Sequence, residues 1–524
     1  MSIRVYLQKR ALPSFLLLTC TCIPSTQVWS AGHYTTKTPY QPQQQATTYE
    51  AVPAGFAPIH TQLLARHGSR AMSGLKDDLA FLNLWRLALQ QGALTPKAER
   101  LGPQLEKLIE ANALMGYGLL RYSQPGYGNL SLRGMQEHEG LAQRMLQRLP
   151  ELFAQIEQSA SDSGQVPITV QHSGVNRARD SAQSFVNALI LQKPGLKAAV
   201  DPRFVMGHPD DTPRHQAQTV NRFLLYFHRL NAGVDGVGLQ ASDPKVKILE
   251  SSQRYQTYSK SFRVTQKIDA IQNSDVMRAT AFSVLLRLFK PEFLMALDRG
   301  KVIASNTGTL SVTSKDGLYS ALLKGDGRTQ IRTPVQALFA LSSVYEIAPG
   351  LQRELGFDFD EYFQPEEAKV LAEANDAEDF YTKGPGIAED EPVNHAMAEG
   401  LLNDFFEQIN HAHKGRFQAS ASLRFTHAEI LIPFASLLKI AGLTDPLALN
   451  QTYAYSRSTW RGELIAPYAA NLQWDTYRNP DGLLIVRMLY NEKETLFKPQ
   501  CDPARFHPHS YFYEFKALMR CYLS

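Results

Sequence analysis

The sequence has no large excess of charge of either sign. It contains 54 Lys and Arg residues against 50 Asp and Glu residues, which gives a formal net charge of +4. Residues 1–30 hold three of the basic residues and no acidic residue, so their removal lowers the net charge to +1. Because general nucleic-acid binding depends on a strongly basic surface, this balance argues against a nucleic-acid partner. Any affinity for a polyanion must come from a local cluster of positive charge.

Long hydrophobic runs and metal-binding spacings are also missing. The apolar stretch over residues 11–19 is too short to cross a bilayer, so we expect no transmembrane segment in the mature protein. The sequence has no His-x-x-x-His pair and no Asp-rich loop, and we expect neither a metal nor a cofactor. The composition, 44% hydrophobic and 20% charged, is that of an ordinary globular protein.

The N-terminal residues predict an exported protein. Residues 1–30 have the pattern of a secretory signal, with a basic start, an apolar middle and a cleavage site before Ala31. We therefore expect a periplasmic or secreted protein. A lipid anchor at Cys20 is an alternative, but Thr19 directly before it fits a lipoprotein signal badly.

Cysteine is scarce, with four residues in the whole chain. Cys20 and Cys22 lie in the expected signal, which leaves Cys501 and Cys521 on either side of an aromatic segment. In an oxidising compartment we expect these two to form a disulfide that ties down residues 501–524. The alternative is a pair of buried thiols, since neither residue has the neighbours of a zinc or redox site.

The most informative stretch is Leu63-Leu64-Ala65-Arg66-His67-Gly68-Ser69-Arg70. A histidine between two arginines, at the end of an apolar run, suits a nucleophile that attacks phosphorus. The imidazole supplies the lone pair, and the guanidinium groups hold phosphoryl oxygens through paired hydrogen bonds. Gly68 lets the backbone approach an anion closely. A basic surface turn is the alternative, so the interpretation depends on companion motifs.

One companion is a predicted strand that runs into a helix near residue 175. Residues 166–174 are apolar and β-branched and end in Ser-Gly, and helical spacing of apolar residues follows. Arg177 then lies in the first turn of the helix, where its cation and free backbone N–H groups face the same anion. The neighbouring Arg179 is an alternative inward-facing residue.

The other companion repeats this pattern over residues 423–434. His427 and Glu429 lie two residues apart at the junction of the predicted strand and helix. The alternatives are a core histidine and an ordinary carboxylate at a helix start, a position that acidic side chains favour in any case.

Together the three segments resemble the histidine phosphatase superfamily, in its acid phosphatase and phytase branch, and most closely the multiple inositol polyphosphate phosphatases. Those proteins have Arg-His-Gly-x-Arg near the mature N-terminus, Arg-x-x-x-Ser-Ala at a helix start, and a late His-Ala-Glu where many relatives have His-Asp. The matching residues in this chain are Arg66, His67, Gly68 and Arg70, then Arg177, Ser181 and Ala182, and finally His427, Ala428 and Glu429. The resemblance runs from about residue 55 to residue 500.

The resemblance implies an α/β fold, with a sheet core flanked by helices and an inserted α-helical cap over the active site. Strand-then-helix units in both halves, separated by a long helical middle, indicate the same architecture. A flexible lead-in over residues 31–54, rich in Thr, Gln and Pro, is expected before the domain at 55–524. Within that domain we expect the core at about 55–75, 125–200 and 415–500, the cap at about 76–124 and 200–414, and the disulfide-tied segment at 501–524.

The resemblance also implies a role for each site residue. His67 attacks phosphorus and forms a phosphohistidine, while Arg66, Arg70, Arg177 and His427 bind the phosphoryl oxygens and neutralise developing charge. Glu429 gives a proton to the leaving oxygen and later takes one from water. For this, Glu429 has to be protonated when substrate arrives, which requires partial burial or an acidic medium.

The expected function is that of an exported phosphomonoesterase acting on inositol polyphosphates such as phytate. The His-Ala-Glu variant and the long middle region favour this substrate, and scattered Lys and Arg in the cap would hold its remaining phosphates. The first alternative is a broad acid phosphatase acting on sugar phosphates or phosphoglycerates. A non-catalytic phosphate-ester binding protein and a phosphoryl-transferring mutase are the others, and the export signal argues against the mutase.

Overall fold

The computed structural model describes residues 32–119, 123–163, 166–201, 204, 220–414 and 420–523. The expected signal over residues 1–30, with Cys20, lies outside these residues. No helix in the described part of the chain is long and apolar enough to cross a membrane.

The strands form one mixed sheet and one separate hairpin. In chain order they are β1 Ala57–Arg66, β2 Ile168–His172, β3 Ala304–Thr313, β4 Ser320–Ile331, β5 Ser420–Thr426, β6 Asn471–Arg478, β7 Leu484–Tyr490, β8 Lys493–Thr495 and β9 Phe512–Glu514. The sheet has the order β2-β5-β1-β6-β7-β8, with β9 beside β7, and β3 pairs with β4 alone. β5 runs parallel to both β1 and β2, whereas β6 is antiparallel to β1.

Helices make up most of the remaining structure. Those of eight residues or more in the described ranges are Asp77–Gln90, Leu101–Ala113, Leu132–Arg148, Pro150–Ser163, Asn176–Gln192, Pro244–Tyr258, Phe262–Gln272, Asp275–Leu286, Pro291–Asp298, Pro334–Ile347, Pro365–Thr382, Glu399–His413, Ala428–Leu438 and Phe515–Leu523. Four-residue helices lie at Arg222–Leu225, Ala232–Asp235, Gln352–Leu355 and Gly462–Ile465.

Helices cover both faces of the sheet because successive side chains of β1 point to opposite sides. Leu63 packs in one hydrophobic core with the helices Leu132–Arg148 and Asn176–Gln192. Leu64, the next residue, packs in another core with the helices Glu399–His413 and Ala428–Leu438. Both faces are buried, as expected for parallel strands. The predicted α/β class, a sheet core flanked by helices, is confirmed.

A further hydrophobic core unites residues from about 71–115 with residues from about 277–374. It joins the helices Asp77–Gln90, Leu101–Ala113, Asp275–Leu286 and Pro334–Ile347, with Phe81, Phe289 and Leu341 fully buried. Its residues come mainly from the two parts of the chain that we assigned to the helical cap.

The middle region differs from the sequence prediction in two details. It contains the hairpin of β3 and β4, which we expected to be helical. In addition, apolar residues keep helical spacing over residues 277–297 and 136–158, which favours one helix in each stretch, but Pro291 and Pro150 each begin a new helix. Proline has no N–H to donate, so it suits the first turn of a helix and not its interior.

Part of the lead-in that we expected to be flexible over residues 31–54 packs against the domain. Thr35, Thr36 and Tyr40 are buried against the domain. The Tyr40 hydroxyl donates to Glu492 at 2.9 Å, and its backbone N–H donates to Glu137 at 3.1 Å. These polar groups have specific partners on the domain, so this part of the lead-in is held in place although its composition is that of a linker.

The C-terminal segment is tied down as predicted. Cys501 and Cys521 form a disulfide, and Cys501 is buried beside Phe515 and Leu518 in the core that also contains Leu64. The pairing joins the short helical turn Pro499–Ala504 to the last helix. The alternative of two buried thiols is therefore not observed.

Candidate active site

The three sequence motifs meet at one edge of the sheet. Arg66, the last residue of β1, is level with Thr426 at the end of β5, and His172 at the end of β2 is level with Phe425. Because these strands are parallel, the residues that follow each strand emerge on the same side. Ligands of α/β proteins bind at this carboxyl edge.

His67 follows β1 directly and is buried. Its backbone N–H donates to the Thr426 carbonyl at 2.9 Å, and its Nδ1 lies 2.9 Å from the carbonyl oxygen of Gly68. A carbonyl oxygen only accepts, so Nδ1 carries the proton in this contact and Nε2 keeps the lone pair. Burial and the nearby Arg177 and Arg66 hold the pKa of His67 well below its usual value. The imidazole is therefore neutral and ready to act as a nucleophile.

The loop that carries His67 is held by close backbone packing against the helix Leu132–Arg148. A Cβ at Gly68 would lie 2.4 Å from the carbonyl oxygen of Gly134, so only glycine fits. The Gly68 N–H donates to Ser181 Oγ at 3.2 Å, which links the loop to the second motif. Glu137 accepts from the Ser69 N–H at 2.7 Å and from the Ser69 hydroxyl at 2.8 Å.

Arg66, Arg70 and Arg177 line one cavity together with His67. The Nε groups of all three arginines are buried, and none has a hydrogen-bond partner among the described residues. Burial, then repulsion from Arg70, lowers the pKa of Arg177 to about 10. Buried donors without partners and mutually repelling cations are unfavourable unless an anion satisfies them. The arrangement is therefore an oxyanion-binding cluster.

The lead-in contributes to this cluster. Arg66 donates through Nη1 to the backbone carbonyls of Thr36 and Ala466, and its guanidinium lies 4.7 Å from the ring centre of Tyr468. Thr35, Thr36 and Lys37 also line the cavity. Sequence reasoning missed this role because a backbone carbonyl leaves no signature in the residue types.

His427 caps the helix Ala428–Leu438 and is buried beside His67, with the two ring centres 5.4 Å apart. Its Nε2 lies 2.8 Å from the Ser173 hydroxyl, and its buried Nδ1 has no partner in the described residues. Burial and Arg177 lower the pKa of His427 well below its usual value. His427 does not line the cavity itself but supports its wall.

Glu429 lies in the first turn of that helix and lines the cavity. Its Oε1 is 3.8 Å from Lys383 Nζ, and Lys383 is also 2.8 Å from Asp379. Burial alone would raise the pKa of Glu429, but the nearby charges, Lys383 foremost, more than offset it and hold that pKa well below its usual value. At neutral pH this side chain is therefore a carboxylate, so the proton that the expected role requires has to come with substrate binding or from an acidic medium.

The structure distinguishes the alternatives left open for the second motif. Arg177 faces the cavity, whereas Arg179 pairs with Asp180 at 3.0 Å and donates to the Ser123 hydroxyl at 2.8 Å. Asp180 is itself buried and also accepts from that hydroxyl. Arg179 therefore anchors the helix Asn176–Gln192, and Arg177 remains the ligand-facing residue.

The cavity has a volume of about 530 Å³ and a lining of mixed charge. Besides the three guanidinium groups and Glu429, it is lined by four carboxylates and two ammonium groups, and Lys37 and Lys383 pair with two of those carboxylates, Glu346 and Asp379. We call the following residues the polar lining: Lys37, Asp77, Gln272, Thr329, Gln330, Gln336, Ser343, Glu346, Asn375, Glu378, Asp379 and Lys383.

Scattered Lys and Arg of the cap were expected to hold additional phosphates. Among the described residues, the only cap cation that lines the cavity is Lys383, and it is already paired with a carboxylate. None of the residues that the structure describes form a cluster of three His, Cys, Asp or Glu side chains arranged to hold a metal ion.

Comparison with known proteins gives consistent matches. A model of the histidine phosphatase superfamily, branch 2, matches residues 339–491. Human multiple inositol polyphosphate phosphatase 1 is 32% identical over 141 residues, which is 25% of this chain and 28% of the human protein. The match thus spans well under two thirds of that relative.

Solved structures match over nearly the whole length. The multiple inositol polyphosphate phosphatase of Bifidobacterium longum, in complex with inositol hexasulfate, is 29% identical, with a TM-score of 0.79, and covers 94% of this chain and 97% of that one. The phytase of D. castellii shares the fold, with a TM-score of 0.56 at 13% identity over 94% of this chain and 84% of that one.

Proposed function

The chain belongs to the histidine phosphatase superfamily, and we propose that it hydrolyses phosphomonoesters of inositol polyphosphates through a phosphohistidine at His67. One observation carries the proposal. The neutral, buried imidazole of His67 shares a cavity with three guanidinium groups whose buried Nε donors have no partner in the described residues. A nucleophile beside several buried guanidinium donors suits phosphoryl transfer.

In the first step, His67 Nε2 attacks phosphorus, a P–N bond forms and the ester P–O bond breaks. Arg66, Arg70 and Arg177 hold the phosphoryl oxygens as charge builds on them. The leaving oxygen takes a proton from Glu429, which a sugar-like alkoxide requires because it is a very poor leaving group. In the second step, Glu429 takes a proton from water, the water oxygen bonds to phosphorus, and the P–N bond breaks to release phosphate.

The proton on Glu429 has to be acquired when substrate binds. At neutral pH this side chain is a carboxylate, chiefly because the Lys383 ammonium group lies 3.8 Å from it. A bound phosphoryl group brings negative charge close to Glu429, and like charges raise the pKa of a carboxyl. Substrate binding therefore favours the protonated acid that the first step consumes.

The polar lining favours a second candidate substrate class. Its amides, hydroxyls and four carboxylates are suited to the hydroxyl groups of a sugar or of a sparsely phosphorylated inositol. Additional phosphates placed against these carboxylates would be repelled. Hydrolysis of sugar phosphates and lower inositol phosphates is therefore the alternative to phytate hydrolysis.

A substrate panel tests both candidates. Phosphate release is measured from inositol hexakisphosphate, lower inositol phosphates, a sugar monophosphate and an aryl phosphate, at pH 4.5 and pH 7. We expect hydrolysis of inositol polyphosphates by the wild type. A kcat/KM that is higher for the sugar phosphate than for all inositol phosphates would support the second candidate. No release from any ester would contradict the enzyme assignment.

We also propose that the protein is exported to a periplasm or to the medium. The signal-like residues 1–30 and the Cys501–Cys521 disulfide support this, because disulfides persist in oxidising compartments. Cell fractionation and the mass of the mature protein test it. We expect an N-terminus at Ala31, whereas full-length chain in the cytosol would contradict export.

A further inference from the structure

The short helical turn Thr35–Lys37 of the lead-in lines the active-site cavity. Its first residue, Thr35, is buried and has a φ of 52°, in the left-handed region. A β-branched residue adopts that conformation only where its surroundings impose it, and such residues are concentrated at functional sites. Two contacts of the next residue, Thr36, connect this turn to the catalytic groups, one through the backbone and one through the side chain.

The backbone carbonyl of Thr36 holds Arg66. It accepts from Arg66 Nη1, together with the carbonyl of Ala466. Two acceptors on one nitrogen fix the plane of the guanidinium group, and the donor edge formed by Nε and Nη2 remains for a phosphoryl group. Arg66 Nε is buried and has no hydrogen-bond partner in the part of the chain that the structure describes. The orientation of this arginine therefore depends on a residue of the lead-in.

The side chain of Thr36 contacts the ion pair that controls the proposed acid. Its hydroxyl donates to Asp379 Oδ2 at 3.2 Å, and Asp379 Oδ1 is 2.8 Å from Lys383 Nζ. Lys383 Nζ in turn lies 3.8 Å from Glu429 Oε1. The Asp379 carboxylate is thus shared between a neutral donor and a cation, and the strength of its pairing with Lys383 decides how strongly the ammonium charge acts on Glu429.

Neighbouring contacts fix the backbone around Thr36. The ammonium group of Lys37 pairs with the buried carboxylate of Glu346, and the Thr35 hydroxyl donates to the same carboxylate at 3.4 Å. A Cβ at Gly462 would lie 2.8 Å from the Thr36 backbone nitrogen, so this close packing requires glycine. The carbonyl and the hydroxyl of Thr36 are therefore held in place on both catalytic groups at once.

We propose that Thr36 is a positioning residue of the catalytic site. Its carbonyl orients Arg66 towards the phosphoryl group, and its hydroxyl, through Asp379, moderates the pull of Lys383 on the proposed acid. The inference rests on the proposed function, because the roles of the arginine and of the acid come from it. The part of the lead-in that carries Thr36 belongs to the site, and the mature chain has to retain it.

Thr36→Val tests the hydroxyl, because it keeps the carbonyl and the shape of the side chain. Without that donor the Asp379 carboxylate pairs more fully with Lys383, which weakens the pull of the ammonium group on Glu429. The basic limb of the kcat profile for an alkyl phosphate should therefore move to higher pH by about half a unit. For an aryl phosphate, which needs little protonation, kcat/KM should change less than about threefold. Thr36→Ser keeps the hydroxyl and should retain the wild-type limb.

A double-mutant cycle shows whether the hydroxyl acts through Asp379. In the Asp379→Asn background, Thr36→Val should leave the limb where it is, because there is no longer a carboxylate charge to share. A residue that only stabilised the fold would move the limb equally in both backgrounds, or in neither. Either of those results, or a shift to lower pH in Thr36→Val alone, overturns the role of the hydroxyl.

Displacement of the Thr36 backbone tests the orientation of Arg66. In Gly462→Ala the new Cβ would press on the Thr36 nitrogen, and also on the Asp376 carboxylate. We expect the affinity for inorganic phosphate, measured by calorimetric titration of the intact protein, to fall about tenfold or more. Gly74→Ala, whose Cβ would have its nearest neighbour at 3.8 Å, is the matched control and should bind phosphate as the wild type does.

The Arg66→Ala background separates this effect from a general disturbance around Gly462. Without the guanidinium group the Thr36 carbonyl has nothing to orient, so Gly462→Ala should not weaken phosphate binding further. An affinity in folded Gly462→Ala within about twofold of the wild type, or an equal loss in both backgrounds, overturns the orientation of Arg66 by Thr36.

The two readouts also separate this proposal from the proposed function. A protein that hydrolyses no ester, but binds phosphate less tightly in Gly462→Ala only when Arg66 is present, refutes the enzyme and retains the positioning of Arg66. A protein that hydrolyses esters, with an unshifted limb in Thr36→Val and unaltered phosphate affinity in Gly462→Ala, does the reverse.

Discussion

Lys383 Nζ lies 3.8 Å from Glu429 Oε1, and the same ammonium group is 2.8 Å from Asp379. Burial and these two carboxylates together leave the pKa of Lys383 above its usual value, so the ammonium group stays charged. Its charge is a principal reason why the pKa of Glu429 is low. The residue proposed to donate a proton is therefore controlled by a lysine 46 positions earlier in the chain.

Replacing Lys383 by methionine should move the basic limb of the pH profile to higher pH. The pKa of Glu429 rises when the ammonium group is lost, so the acid stays protonated to a higher pH. We expect a shift of about one pH unit or more in kcat for an alkyl phosphate. Lys383→Arg keeps the charge and should move the limb little. Lys369→Met, at an exposed position of the helix Pro365–Thr382 that ends just before Lys383, should not move it. An unshifted limb in Lys383→Met would refute this control of Glu429.

Glu429→Gln should slow esters with poor leaving groups selectively. Glutamine cannot donate a proton as a carboxylic acid does, so kcat/KM for an alkyl ester should fall by about 10² to 10⁴. An aryl ester with a good leaving group needs little protonation and should lose less than about tenfold in kcat/KM. The ratio kcat/KM reports only the steps from substrate binding to departure of the leaving group. Slow hydrolysis of the phosphoenzyme therefore does not affect it. Equal losses for both esters would show that Glu429 is not the acid.

Gly68→Ala should disable the site without touching a catalytic side chain. The new Cβ would lie 2.4 Å from the Gly134 carbonyl oxygen and 2.6 Å from its Cα, both backbone atoms. The loop that carries His67 has to move, and a displacement of about 1 Å costs about 10² in rate. Gly74→Ala is the matched control, since its nearest neighbour is the Lys76 side chain at 3.8 Å. Activity in Gly68→Ala near the wild-type level would mean that this contact does not fix the loop.

The buried carboxyl of Asp376 predicts a pH-dependent term in stability. Burial raises the pKa of Asp376 to about 8, and its Oδ2 accepts from the Tyr455 hydroxyl at 2.7 Å and from the Gly462 N–H at 3.0 Å. The folded protein thus keeps a proton that the unfolded chain releases above about pH 4. Its contribution to stability is fully present below that pH and is lost as pH rises towards 8.

Asp376→Asn removes this titration. Compared with the variant, the wild type should lose free energy of unfolding between about pH 4 and pH 8, by roughly 1.4 kcal/mol per pH unit at the steepest. Urea unfolding at pH 5, 6, 7 and 8 measures the difference. In Asp445→Asn, a control at an exposed position, the free energy of unfolding should change with pH as it does in the wild type. A difference independent of pH would mean that Asp376 is ionised in the folded protein.

The sequence alone was sufficient to identify the site residues that belong to local motifs. Arg66 ends a strand of strong apolar pattern, His67 and Arg70 follow it, and the other two motifs also lie where a strand ends. Parallel pairing of those strands brings the motifs together, so the sheet architecture and the anion cluster follow from short-range patterns. The resemblance to the histidine phosphatase superfamily then supplied the expected role of each site residue.

Residues without a local pattern could not be found in this way. Lys383 lies just after the helix Pro365–Thr382, and nothing in its neighbourhood indicates that the chain returns to Glu429. β3 and β4 were missed because most of their residues are small or polar, so the sequence shows little of the alternation of apolar residues that marks a strand. The lead-in was missed because Thr36 acts through its backbone carbonyl.

The phosphohistidine at His67 is tested most directly by trapping it. A labelled phosphate ester is mixed rapidly with the wild type and with His67→Ala, and the reaction is stopped in alkaline detergent, because phosphohistidine is labile in acid. We predict label on the peptide that contains His67 in the wild type, its loss on acidification, and no labelled peptide from a folded His67→Ala protein. Steady hydrolysis by the wild type with no label on that peptide, or hydrolysis by His67→Ala at the wild-type rate, would contradict the account.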